Sequence, residues 1–207
     1  MAKIAEKFIL ATKLGMTQMY TDKGDQVGVT LLSVVPNVVT QVKSVEKDGY
    51  TAVQLGTGAK KAKNLSKGLK GHFKDLGSFR WTREFHLPAD KAMAVGDKVE
   101  IGQFAVGDTV AVSGLTKGKG FAGAVKRHGF HGAPASHGHH HVLRHVGSIG
   151  QRFPQHTLKG SRGPGRDGQL RKTNKGLVVM AIDADAGILA LKGVVPGAKG
   201  SLVEVRN

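Results

Sequence analysis

The chain contains no cysteine, and its 207 residues include only one Trp, two Tyr and six Pro. Without thiols it can build no disulfide framework, no thiolate zinc site and no cysteine nucleophile, and the absence fits a reducing compartment. Long apolar runs are missing too. Stretches such as 31–32 and 177–182 fall far short of the roughly 18 residues of a membrane span. Residues 8–11 (FILA) are too short for the hydrophobic region of a secretion signal. The expectation is therefore a soluble cytosolic chain with no membrane partner. Acids are scarce as well, 15 against 31 Lys and Arg, which gives a formal charge of +16 and a pI near 10.2. Such a balance speaks about partners rather than fold, and nucleic acid is the first candidate.

The charge is unevenly placed. Residues 117–175 carry 12 Lys and Arg and a single acid, Asp167, with eight of the ten His and 12 Gly. Leu, Ile, Val and Phe number only ten there, about 17%, below the roughly 20% at which a charged chain is expected to stay disordered by itself. Ten large apolar side chains cannot offset the backbone entropy of ordering 59 residues. A partner outside the chain is expected to mould this segment, because long structureless stretches between folded regions are uncommon unless functional.

The flanks read as β-structure. Runs at 7–12, 27–35, 38–45, 50–55, 79–87, 98–104 and 109–115 are short and rich in Val, Thr and aromatics. Turn signals such as 22–25 (DKGD), Pro36-Asn37 and Asp48-Gly49 separate them. The pattern resumes at 177–183, 187–195 and 201–205, with Asp185-Ala186-Gly187 as a hairpin turn. Many short strands argue an antiparallel barrel or sandwich with little helix; the basic stretch 59–73 is open to helix or coil, and 123–128 has room for one helical turn or two. The expected organisation is a β core domain of residues 1–116 plus 176–207, carrying a basic excursion at 58–83. A second basic excursion, 117–175, is Gly/His-rich.

Three sharper motifs fail on inspection. The GKGFAG run at 118–123 has the dinucleotide-binding spacing, but no strand ending in an acid follows about 20 residues later. Ala124 also stands where a P-loop needs Lys. His137, His139, His140, His141 and His145 invite a metal, yet no carboxylate or cysteine lies nearby and Gly138 breaks any helix. With one acid in the segment, no general acid/base pair can be built within it, so an enzyme is not expected. A nucleotide-cofactor enzyme using 118–123 is the alternative to a nucleic-acid binder.

What remains is a Lys/Arg/His/Gly-rich excursion with sparse aromatics. Its candidate RNA contacts are Lys117, Lys119, Lys126, Arg127, His137, His139, His140, His141, Arg144, Arg152, Lys159, Arg162 and Arg166, joined by Lys60, Lys61 and Lys63 in the shorter excursion. Arg pairs bidentately with phosphate, Lys supplies point charge, and imidazoles donate to phosphate or stack on bases. RNA is preferred over DNA because no groove-reading helix is visible.

Several blocks, in chain order, also resemble a known family. They are KLGMTQ (13–18), VTQVK (39–43), DGY (48–50), GHF (71–73), REF (83–85), GLTKGKGFAGAVKRHGF (114–130), GSIGQ (147–151) and KGVVPGAKG (192–200). Together they are similar to bacterial large (50S) ribosomal subunit protein three, the third of the "L" series. The resemblance implies a translation-protein-type antiparallel β-barrel with a long irregular basic extension and no enzymatic activity or cofactor. It implies a cytoplasmic protein of the ribosome that binds 23S rRNA near its 3′ end and nucleates subunit assembly. It further implies an extension reaching toward the peptidyl transferase centre, with proteins fourteen and nineteen of the same subunit as neighbours. By position, Lys117, Lys119, Lys126 and Arg127 match the basic base of that extension. Gly147, Ser148, Ile149, Gly150, Gln151 and Arg152 match its tip. Gln151 matches the glutamine that a methyltransferase converts to N5-methylglutamine in some bacteria. Two places depart from the family pattern: 159–168 reads KGSRGPGRDG without the usual methionines, and Val146 replaces a common proline.

Overall fold

The computed structural model describes residues 6–87 and 93–207. Two compact units are present, one running to Leu115 and resuming over Arg171–Asn207, the other Thr116–Leu170. The first unit begins with strands β1 (Phe8–Tyr20), β2 (Gln26–Ser33), β3 (Asn37–Lys43) and β4 (Ala52–Ala59). It continues through β5 (Phe79–His86), β6 (Lys98–Val99) and β7 (Thr109–Leu115), with short helices α1 (Val45–Asp48) and α2 (Lys67–Phe73). The second unit contains β8 (Gly120–Ala122), α3 (Ala124–His128) and β9 (Gly165–Asp167). Strands β10 (Arg171–Asp183), β11 (Ile188–Lys192) and β12 (Leu202–Arg206) complete the first.

Six strands close into an antiparallel barrel in the order β1-β12-β7-β10-β11-β2. The period-two pattern of the sequence explains the closure, since successive side chains of a strand face opposite sides. Ile9 and Ala11, Val110 and Val112, Leu189 and Leu191, and Val203 and Val205 all alternate into one buried core. Strand β1 is buried on both faces over its first four residues. Phe8 and Leu10 turn the other way and join Val39, Val53, Leu55 and Phe85 in a second core, under the sheet β5-β4-β3-β6. The Phe8 and Phe85 rings stack there with centroids 4.8 Å apart.

Asn37 ties β3 to β1. Fully buried, its side-chain oxygen accepts from Leu10 N–H at 2.7 Å, and its amide donates to the carbonyls of Leu10 at 3.1 Å and Val35 at 2.7 Å. The basic excursion at 58–83 is anchored by α2, whose first turn is capped by Ser66 Oγ accepting from Leu69 N–H. Phe73, at the end of α2, is buried edge-on against Phe79 of β5.

Several elements run differently from the sequence expectation. β1 continues through Leu14–Tyr20, where burial is poor; pairing with β2, from Gly15↔Leu31 to Tyr20↔Gln26, extends the strand instead. The 38–45 run stops at Lys43 because Val45 opens α1, and only Lys98–Val99 of 98–104 is strand. β10 begins at Arg171, before the border at 176 suggested by composition, because Arg171–Asn174 pair with Leu115–Val112 of β7.

Candidate nucleic-acid interface

The unit Thr116–Leu170 has nine Lys and Arg against one acid, and only Ala122 and Ala124 are buried within it. Two alanines are not a core. Its order comes instead from backbone pairing of the outgoing and returning arms. Thr116 N–H donates to the Leu170 carbonyl at 2.9 Å, and Leu170 N–H donates to Thr116 Oγ1 at 3.2 Å. Next, β8 and β9 pair antiparallel, with Gly120 opposite Asp167 and Phe121 opposite Arg166. The GKGFAG run thus contributes a strand of this ribbon, not the open loop that a dinucleotide fold requires.

Cations brace this stem. Lys119 N–H donates to the Asp167 carbonyl at 2.9 Å, and its ammonium lies 3.2 Å from the Asp167 carboxylate. The hydrogen bond from Lys119 holds the Asp167 carboxyl below its ordinary value, and Gly168 N–H adds a contact at 2.9 Å. Arg127 donates to the Gly163 carbonyl at 3.0 Å, and His128 Nε2 lies 3.1 Å from the same oxygen. Arg166 donates to Gln169 Oε1 at 2.7 Å. Three of the candidate cations, Lys119, Arg127 and Arg166, are therefore engaged within the stem as well as exposed.

Gly168 allows the arms to meet. Its φ is +73°, and a Cβ there would stand 2.1 Å from the Lys117 carbonyl oxygen. The departing segment 159–168 returns through this point.

Every other candidate cation of the extension faces solvent: Lys117, Lys126, Arg144, Arg152, Lys159 and Arg162. His137, His139, His140 and His141 are exposed too, and His137 and His141 adopt left-handed backbone on either side of the turn at Gly138. Among the described residues no group of three or more His, Cys, Asp or Glu could hold a metal ion. Gly147, Ser148, Ile149, Gly150, Gln151 and Arg152 are all exposed, and Arg152 lies over the Phe153 ring at 5.7 Å. Phe121, Ile149 and Phe153 are 80%, 72% and 66% exposed, so the unit presents large apolar side chains amid its charge.

In the first unit, Lys61 and Lys63 are exposed and Lys60 is half-buried. The structure adds a basic feature that sequence reasoning missed. Glu204, 12% exposed at its side chain, binds Arg83 Nε at 3.0 Å and also pairs with Arg171. Arg80 lies 4.3 Å from the Trp81 ring centroid beside them. Residues 83, 171 and 204 are far apart in the chain, so no local signal could have joined them.

A family model for ribosomal protein L3 matches residues 88–187, which span β6, β7, the whole second unit and all of β10. The large ribosomal subunit protein uL3 of Pelotomaculum thermopropionicum is 45% identical over 203 residues, covering 97% of this chain and 96% of that protein. The chain belongs to the ribosomal protein L3 (uL3) family. Proteins called uL3 from Desulfosudis oleivorans and Corynebacterium aurimucosum are 45% and 43% identical, and the alignments cover 96% and 97% of this chain. The uL3 family is structural and not enzymatic, so the glycine run at 118–123 has no cofactor chemistry to explain. Within this uL3-family chain, the basic unit Thr116–Leu170 lies wholly inside the matched span.

Proposed function

We propose that this chain, a structural constituent of the large ribosomal subunit, is a primary binder of 23S rRNA. On this reading its barrel is the folded anchor, and Thr116–Leu170 is the segment that penetrates RNA. The binding site lies near the 3′ end of 23S rRNA, where binding nucleates assembly, and the exposed tip from Gly147 to Arg152 points toward the peptidyl transferase centre. Proteins fourteen and nineteen of the subunit are its neighbours, and it works in the cytoplasm, inside the ribosome. Gln151 offers its exposed side-chain amide to a glutamine methyltransferase.

One observation carries the reading: a unit of nine cations and one acid buries two alanines and leaves Phe121 and Phe153 in solvent. Phosphates neutralise that charge and release counterions, while unstacked bases cover the apolar surface. Lys117, Lys126, Arg144, Arg152, Lys159 and Arg162 are the cations available for this, with the four histidines from His137 to His141 as further donors.

Limited proteolysis of the full chain, free and bound to a transcript of the 23S rRNA 3′ domain, tests it. Cleavage within 116–170 is expected in the free chain and absent from the complex. Equal cleavage in both, or a chain that does not bind the transcript, overturns the proposal.

A further inference from the structure

Inside the unit Thr116–Leu170 is an open cavity of about 520 Å3. Pockets for small ligands span roughly 300–1,000 Å3. Ala124, Ala133, Val142, Val146 and Pro164 supply its apolar walls. Arg144 and His145 also line it, both solvent-exposed, and no carboxylate does.

Backbone contacts fix the walls. Ala133 N–H donates to the Leu143 carbonyl at 3.1 Å, and His145 N–H donates to the Val142 carbonyl at 3.0 Å. Gly132 has φ +75°, and a Cβ there would stand 2.0 Å from the Leu143 carbonyl oxygen. The loop is thus drawn together at a position only glycine accepts, with its neighbour Ala133 facing the void.

The combination selects its occupant. A flat heterocycle gains from apolar walls on its faces, and its edge and attached phosphate need donors. Arg144 supplies a guanidinium that can stack or pair bidentately, and His145 supplies an imidazole that donates or accepts. A purely aliphatic guest would leave both groups unused. The surrounding charge, nine cations against one acid, attracts a polyphosphate chain and repels a basic peptide.

We infer that this cavity receives one unstacked nucleobase of the bound RNA, with the phosphate of that nucleotide on Arg144. The inference rests on the rRNA-binding reading and adds to it a specific point of insertion, distinct from the phosphate contacts spread along the extension.

Affinity of the full chain for the 23S rRNA 3′-domain transcript, measured against salt, separates the two. Ala133→Leu and Val142→Phe fill the void without changing charge. Base insertion predicts about a ten-fold or greater loss of affinity with the salt slope unchanged, the size expected when one base loses its platform. Ala133→Gly, which leaves the void open, stays within about three-fold of the parent chain. A transcript substituted with 4-thiouridine or 6-thioguanosine should cross-link to peptide 132–147, and Ala133→Leu should abolish the adduct. If the parent chain binds but the filling variants bind equally well, or no adduct forms on 132–147, the cavity assignment is overturned while rRNA binding stands. If the parent chain does not bind, both are overturned.

Discussion

The ammonium of Lys119 lies 3.2 Å from the carboxylate of Asp167, joining the residue before β8 to the last residue of β9. Asp167 is the only acid in residues 117–175. Twelve cations compete for it, and the one that holds it is placed by backbone register. The chain spends its single negative charge of this region on closing the stem.

This pairing gives the stem a pH dependence. Asp167 titrates below its ordinary 3.8 because Lys119 favours the ionised form. A depressed carboxyl stabilises the folded stem above the ordinary value, and the contribution is lost as pH falls through the depressed one. Hydrogen exchange at the Lys119 amide, corrected for intrinsic rate, should hold steady from about pH 7 to 5 and quicken below about pH 4. Asp167→Asn should quicken exchange at neutral pH and remove the acid transition.

Salt dependence should sort the cations. Lys117 and Lys126 have no partner in the stem, so Lys117→Ala or Lys126→Ala should each lower the log–log salt slope of rRNA binding by about 0.7–0.9. Lys119→Ala and Arg127→Ala should change the slope less and the protease sensitivity of the free stem more. Titrations at four or five salt concentrations would reveal a contrary ordering.

Gly168→Ala should open the stem. The new methyl would stand 2.1 Å from the Lys117 carbonyl, on a backbone with φ +73°. A cost of about 1–3 kcal/mol is expected for forcing a side chain into that conformation. Exchange at the Thr116 and Lys119 amides should report it, with the barrel amides unchanged.

Asn37→Ala should destabilise the first unit. It removes the buried partner of both the N–H and the carbonyl of Leu10. Orphaning two buried groups costs about 2–4 kcal/mol, readable as a lower denaturant midpoint without a change in slope. Asn37→Asp would set a buried carboxylate oxygen against the carbonyls of Leu10 and Val35, and should destabilise at least as much as Asn37→Ala.

The barrel was legible because its strands are period-two patterns. Val110 and Val112, or Val203 and Val205, announce a buried face from sequence alone, and β7 occupies the expected 109–115. Elements lacking that pattern were not legible. Leu14–Tyr20 and Arg171–Asn174 are extended because partner strands hold them, and pairing across the chain leaves no local trace. At the interface, composition pointed to the basic segment but could not divide its cations. That Lys119 faces Asp167, or that Arg83 and Arg171 share Glu204, follows from register between distant residues. The family blocks identified the chain's family, because GSIGQ and KGKGFAG carry information that charge counting does not.

Strand β12 lies between β1 and β7, hydrogen-bonded to both. Until residues 202–206 emerge during synthesis, each of those neighbours keeps an unpaired edge of backbone donors and acceptors, a template for aggregation. The basic arm is translated earlier than β12. A nascent chain therefore displays its polycation before its β-scaffold can seal.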